Sequence, residues 1–317
     1  MQTEGKRRIS VVIPTYNEQE NVLPLVEALE TEFQQSLSKY DYELLFIDNC
    51  STDDTRAHLQ ALCEKNAHVR AIFNAQNFGQ FRSPYYGLCQ CTGDCAVLLC
   101  ADFQDPPSLL PVLVAEWEKG FKVVCAVKTK SRENPFVRFL RTCYYKLLRR
   151  MSDTPQIEHF TGFGLYDRAF LEVLKDLDDP SPYLRGIVAE LGFSRTVVPY
   201  TQEKRRAGKS SNGFGTLYDA AMQSFAAYTK APVRAMMLVG VLLLLASLGG
   251  GITALVLGLL GDVLPILILG SLIGFFGSLQ LIFLSLLGEY LLFLRSKTVK
   301  RPIVIEEKRL NFEPKDR

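Results

Sequence analysis

Ile9-Ser10-Val11-Val12-Ile13-Pro14-Thr15-Tyr16-Asn17-Glu18 is a short β-branched run that ends abruptly in a proline, a hydroxyl, a phenol, an amide and a carboxylate. It reads as a buried strand running into a polar loop, and a helix-like stretch near Glu18–Leu37 follows it. The same unit recurs further along the chain. Strand-like runs at Tyr42–Ile47, Val69–Phe73, Cys95–Cys100 and Lys122–Val127 alternate with helix-like stretches near Asp53–Asn66, Gln80–Cys91 and Pro107–Lys119. Such alternation predicts an α/β fold, a parallel sheet covered by helices on both faces. Ligands of these sheets bind beyond the carboxyl ends of the strands. Here those ends carry Pro14–Glu18, Asp48-Asn49-Cys50-Ser51, Asn74–Gly79 and Ala101-Asp102-Phe103-Gln104-Asp105. Carboxylates and amides therefore gather at one edge, as a site for a nucleotide and a metal ion requires.

The charges are unevenly distributed. The 317 residues include 36 basic and 34 acidic side chains, a net charge of +2. Yet Ala235–Gly288 is a block of 54 residues with one charge, Asp262. Disordered, fibrous, small disulfide-stapled and purely water-soluble chains are all excluded by that pattern. A helix needs about 20 apolar residues to cross the hydrocarbon core, and Ala235–Gly261 and Val263–Gly288 each meet that length. The expectation is a helical hairpin turning at Gly261-Asp262 and Pro265. Lys230 and Arg234 precede it; Arg295, Lys297, Lys300 and Arg301 follow it; the turn has no basic residue. Both ends should face the cytoplasm. The predicted layout is a cytoplasmic domain over 1–212, a juxtamembrane helix over 213–234, two transmembrane helices over 235–294 and a cytoplasmic tail over 295–317. Gly270-x-x-x-Gly274 is a small-residue face of the kind that packs helices between protomers of a homo-oligomer.

Several common active-site patterns fail. Gly208-Lys209-Ser210 ends like a phosphate-binding loop, but Glu203 stands where that loop needs glycine. GxGxxG after the first strand, HExxH and GxSxG are all missing. The eight cysteines show no CxxC pairs and read as small core thiols in a reducing compartment.

The strand-end motifs resemble the family 2 inverting glycosyltransferases with a GT-A (Rossmann-like) fold, and within them the polyprenyl-phosphate sugar transferases. The likeness runs through Val12–Glu18, Asp48–Asp53, Asn77-Phe78-Gly79, Ala101–Pro107, Thr161-Gly162, Arg205 with Gly208-Lys209-Ser210, and Gly288-Glu289-Tyr290-Leu291. It implies a nucleotide-sugar domain on a membrane anchor, a nucleotide-sugar donor, a polyprenyl phosphate acceptor and Mg²⁺ or Mn²⁺, with no nucleic-acid partner. A bacterial inner membrane fits better than the endoplasmic reticulum. Pro14, Tyr16, Glu18, Asp48 and Asn49 would hold base and ribose, with Asn77, Ala101, Lys128 and Ser210 also at the donor. Asp102 and Gln104 would hold the metal, Arg205 and Lys209 would grip the diphosphate, and Asp105 would touch sugar or acceptor. Read alone, the Asp102 cluster is also an acidic helix cap. The chain departs from the family pattern at Cys100, a soft ligand where relatives often have an acid, and at Phe163-Gly164, where they often carry Asp and Arg near the sugar or acceptor.

Two basic stretches bear on the acceptor. Arg205–Ser211 reads as a lid over phosphates or as a juxtamembrane cluster attracted to anionic lipid. Arg132–Ser152 is amphipathic, suited to the lipid surface or to packing on the sheet, and with Lys128 could guide an anionic head group inward. A phosphate acceptor is already anionic at neutral pH and needs no strong base. The alternatives are a transferase using another lipid acceptor, whose hydroxyl would make Asp105 essential, and a non-catalytic nucleotide-binding membrane scaffold.

Overall fold

The structure, a computed structural model, describes residues 6–130, 157, 159–177, 179, 182–203, 205–206, scattered positions from 269 to 294, and 302–312. Four parallel strands form its centre: β1 (Arg8–Thr15), β2 (Asp41–Asp48), β3 (Val69–Asn74) and β4 (Cys95–Leu98). Beyond β4 lie β5 (Val123–Lys130), β6 (Phe160–Asp167) and β7 (Arg195–Thr201). The last strand, β8 (Glu306–Leu310), pairs with β3 at the far edge. The full order is β7-β5-β6-β4-β1-β2-β3-β8.

The expected α/β sheet is present, but it is mixed rather than parallel. β6 runs antiparallel between β4 and β5, and β8 runs antiparallel to β3. The segment read as a tail supplies that edge strand. Neither pairing leaves a local signature, because both partners are distant in the chain.

Alternation along the central strands sorts side chains between two cores. Ile9, Val11 and Ile13 face α1 (Val22–Gln35), α2 (Thr55–Lys65) and α4 (Leu110–Glu118). Val12 faces α3 (Gly79–Gln90), α5 (Arg168–Asp176) and α6 (Leu184–Glu190). Helix α3 presses against the sheet at Gly87, where a Cβ would stand 2.6 Å from Val12 and 2.7 Å from Ile47. Helix α5 starts at Asp167, whose carboxylate accepts from Ala169 N–H at 3.0 Å. Cys63, Cys91, Cys95 and Cys125 are buried free thiols, in line with the core reading.

The chain divides into two compact units, one of Met1–Cys143, Gln156–Gly213 and Val299–Arg317, the other of Tyr144–Pro155 and Phe214–Thr298. Among the described residues no helix is long and apolar enough to cross a membrane. The first predicted span and most of the second lie outside them, as do the juxtamembrane helix over 213–234, Arg132–Ser152 and the two glycines Gly270 and Gly274. The described positions from Leu269 to Leu294 are helical.

Candidate active site

The carboxyl ends of β1, β2, β3 and β4 open on one edge, and each loop there carries predicted site residues. Three of these loops turn through backbone conformations that side chains disfavour: Asn17 at φ 56°, Cys50 at φ 64° and Phe103 at φ 61°. Asparagine tolerates this region, but cysteine and phenylalanine do so at a cost. The first two loops are laced together, with Asn17 N–H donating to Ser51 Oγ at 2.9 Å and Thr52 N–H donating to Asn17 Oδ1 at 2.8 Å. Glu18 N–H donates to Thr55 Oγ1 at 2.9 Å.

Asp48 ends β2 with its side chain fully buried. Its Oδ2 accepts from Arg56 Nε at 2.7 Å and from Ser51 N–H at 3.2 Å. Its Oδ1 has no partner and no solvent. A buried carboxylate oxygen left bare is costly unless a donor arrives. Next to it, Asn49 Oδ1 accepts from Phe78 N–H at 2.8 Å and from Asn74 Nδ2 at 3.2 Å, and Asn49 Nδ2 donates to Asn77 Oδ1 at 2.8 Å. Asn49 and Asn77 thus fix the loop after β3, while Asn74, which the motifs did not single out, is the buried link. Pro14 is half-buried and Tyr16 exposed at the rim. Glu18 is buried, and its Oε2 accepts from Asn21 Nδ2 at 2.5 Å. Burial raises the Glu18 carboxyl above its ordinary range, opposed by the Asn21 bond and Arg205 and reinforced by Asp102.

Asp102 follows β4 and is 5% exposed. Its Oδ1 accepts from Gln104 N–H at 3.1 Å, and its Oδ2 from Arg205 Nε at 3.0 Å and Nη2 at 2.8 Å. Sequence reasoning placed Asp102, Gln104 and Arg205 in one site, and the structure brings all three together. The Arg206 guanidinium lies 5.2 Å from the Phe103 ring centroid, covering the same loop. Ala101 is buried beneath it. Lys128 lies at the end of β5, where its charge helps to hold Asp105 ionised. Lys209 and Ser210 lie outside the described residues.

Two expectations need correcting. Asp105 faces into the fold: Tyr200 Oη donates to its Oδ1 at 2.7 Å and Cys100 N–H to its Oδ2 at 3.4 Å. Burial raises its pKa, opposed by Tyr200, Lys128 and Cys100. It braces the Asp102 loop from behind and does not reach out to a sugar or acceptor. Phe163-Gly164 likewise belongs to the sheet. Phe163 is buried edge-on to the Tyr200 ring at 5.3 Å, and a Cβ on Gly164 would stand 2.3 Å from the Val124 carbonyl oxygen.

Among the described residues no three His, Cys, Asp or Glu side chains cluster as a metal cage. The Asp102 carboxylate nevertheless has a cationic partner in Arg205, and with the Gln104 amide it offers the hard oxygen donors that Mg²⁺ and Mn²⁺ take. One carboxylate and one amide suit a cation whose other ligands come from a bound diphosphate.

A mixed α/β sheet with amides and a carboxylate at the end of β2 and a paired Asp–Arg at the end of β4 fits a nucleotide-binding transferase. The chain belongs to glycosyl transferase family 2, whose model matches residues 10–175. It is 30% identical over 309 residues to the bactoprenol glucosyl transferase of Shigella phage SfV, covering 95% of this chain and 99% of that one. It is 29% identical over 297 residues to the putative glycosyltransferase CsbB of Bacillus subtilis, covering 93% and 89%. Among solved structures it is similar to the mannosyltransferase PcManGT of Pyrobaculum calidifontis, solved with GDP-Man and Mn²⁺, at 18% identity, TM-score 0.47, covering 94% and 87%.

Proposed function

We propose that this chain transfers a hexose from a nucleoside-diphosphate sugar to the phosphate of a polyprenyl phosphate, inverting the anomeric carbon, with Mg²⁺ or Mn²⁺ bound. The observation that carries the donor site is the bare, buried Oδ1 of Asp48 at the sheet edge. It suits the ring N–H of uracil, between two carbonyls, or that of guanine, between a carbonyl and an amine, and either would satisfy it. At the same edge, Asp102 and Gln104 would hold the cation, and Arg205, paired with Asp102, would meet the diphosphate. The cation, when bound, neutralises charge on the departing diphosphate. An oxygen of the lipid phosphate attacks the anomeric carbon from the face opposite the diphosphate. The bond between that carbon and the diphosphate oxygen breaks, and the nucleoside diphosphate leaves with the electron pair.

Similarity to bactoprenol glucosyl transferases over nearly the whole chain supports the polyprenyl phosphate acceptor. So does Asp105. A hydroxyl acceptor needs a general base within reach, and both oxygens of Asp105 are bonded inside the fold. A phosphate nucleophile needs none.

The membrane hairpin and its two-span topology are part of this proposal. The apolar block begins after Arg206 and ends before Pro302, and the compact unit holding the catalytic sheet contains both residues. A chain that leaves and rejoins one domain crosses a bilayer an even number of times, and the block is long enough for two crossings. The basic flanks favour the cytoplasmic side for that domain. The donor site is tested by thermal stabilisation with UDP-glucose, UDP-galactose, UDP-N-acetylglucosamine and GDP-mannose. One of them should raise the melting temperature of the wild type and leave Asp48→Asn unmoved; stabilisation by none of them contradicts the reading.

A further inference from the structure

We propose that Arg56 and Glu307 are positioning residues for the donor base, so that the strand returning after the apolar block is a working part of the nucleotide site. The inference rests on the donor-site reading above and adds two residues to it. Arg56, on the first turn of α2, makes a four-way junction. Nε bonds Asp48 Oδ2 at 2.7 Å, Nη2 donates to the Asn74 carbonyl at 2.7 Å, and Nη1 meets Glu307 Oε2 at 2.9 Å. The guanidinium also lies 5.4 Å from the Phe73 ring centroid. It therefore ties together the ends of β2, β3 and β8.

The consequence for Asp48 is geometric. The Asp48 side chain is fully buried, and Arg56 is the cation bonded to it. By engaging Oδ2 alone, the guanidinium and Ser51 N–H leave Oδ1 as the unpaired acceptor. Arg56 thus sets the rotamer with which Asp48 would read the base. Glu307 in turn holds the free end of the guanidinium fork. It can do so only while β8 is docked.

That docking is secured along its whole length. Ala75 N–H donates to the Ile305 carbonyl at 2.9 Å, and Val304 is buried. Arg309 donates to Gln90 Oε1 at 2.7 Å, and the Phe312 ring lies between the Arg70 and Arg309 guanidiniums at 5.4 and 5.0 Å. Asn311, at φ 60°, donates to the Cys63 and Val69 carbonyls at 2.6 and 2.8 Å. The returning chain is fixed to the sheet on both sides of Glu307, so the Arg56–Glu307 contact is a built one.

The test uses the full chain in detergent and calorimetric binding of UDP and GDP, each compared with its base-methylated counterpart, N3-methyl-UDP or N1-methyl-GDP. The wild type should bind one parent nucleotide and discriminate against its methylated form about tenfold or more, the value of a charge-assisted hydrogen bond. Arg56→Gln should weaken the parent by about tenfold and collapse the discrimination, because the Asp48 carboxylate is no longer held in orientation. Glu307→Gln should weaken binding about threefold at low salt, as a pair with one exposed partner does. Should Arg56→Gln not fold, Arg56→Lys keeps the charge without the fork and should still lose discrimination. Variants that keep the wild-type discrimination, whatever their melting temperatures, overturn the positioning role. A wild type that binds neither nucleotide defeats the donor-site reading and takes this proposal with it.

Discussion

Tyr200→Phe isolates the support behind the Asp102 loop. It removes one oxygen, the donor to Asp105 Oδ1 at 2.7 Å, and leaves the ring packed against Phe163. Asp105 is 3% exposed, so no solvent replaces the lost bond. A hydrogen bond to a charged group contributes roughly 1.5–3 kcal/mol, and an unpaired buried oxygen adds its own desolvation. We expect a loss of about 2 kcal/mol, or about 4–8 °C in melting temperature for a domain of this size. The deficit depends on pH. Burial already raises the Asp105 carboxyl above its unfolded value, and the Tyr200 bond opposes that rise. Without Tyr200 the folded value climbs further. Between the unfolded and folded values the native state holds a proton that the unfolded state lacks, so stability falls as pH rises through that window. The Tyr200→Phe deficit should therefore be largest at pH 8 and shrink as pH falls towards the ordinary carboxylate range. Trp117 is the single tryptophan of the chain and sits buried in this domain, so its emission follows unfolding of the sheet even in the full-length protein. An unchanged melting temperature at pH 8, or a deficit that does not grow as pH rises from about 4 to 8, would refute the reasoning.

Three further outcomes follow from the same geometry. Asp102→Asn should abolish transfer while changing the affinity for nucleoside diphosphate in metal-free buffer by less than about threefold, since the base contacts lie at β2; calorimetry alongside the transfer assay checks both. Gly164→Ala must place a methyl 2.3 Å from the Val124 carbonyl oxygen. It should cost about 1–3 kcal/mol or prevent folding, read from Trp117 emission in denaturant. Asp262→Cys should be labelled by a membrane-impermeant maleimide added outside intact cells, as a two-span hairpin with a cytoplasmic domain requires; labelling only after the cells are opened would contradict that topology.

The central strands were legible because each is a local signal, a β-branched run ending in polar residues, and β1 to β5 lie where those runs are. The site was legible for a related reason. In a parallel sheet every strand end falls on the same edge, so Asp48, Asn49 and Asp102 converge without any knowledge of strand order. What sequence could not supply is pairing across distance. β6 carries Gly164 where the sheet crowds, which explains a departure that sequence alone placed near the sugar. β8 lies beyond the apolar block and has only five residues, too short for its pattern to announce a partner. Arg56 and Tyr200 were missed because nothing in their neighbours marks them, and Asn74 was read only as the start of a strand-end loop; their partners include residues far along the chain. Asp105 was misread because spacing from Asp102 says nothing of direction once Phe103 takes a positive φ.

The central claim is that a sugar passes from a nucleotide to a lipid phosphate with inversion. The measurement that tests it most directly is incubation of the purified chain with Mg²⁺, polyprenyl phosphate and a radiolabelled α-linked nucleotide sugar, followed by NMR of the lipid product. The account predicts stoichiometric release of nucleoside diphosphate and a lipid-linked sugar of β configuration. A product of retained α configuration, or label that reaches only a hydroxyl lipid and never the phosphate, would contradict it.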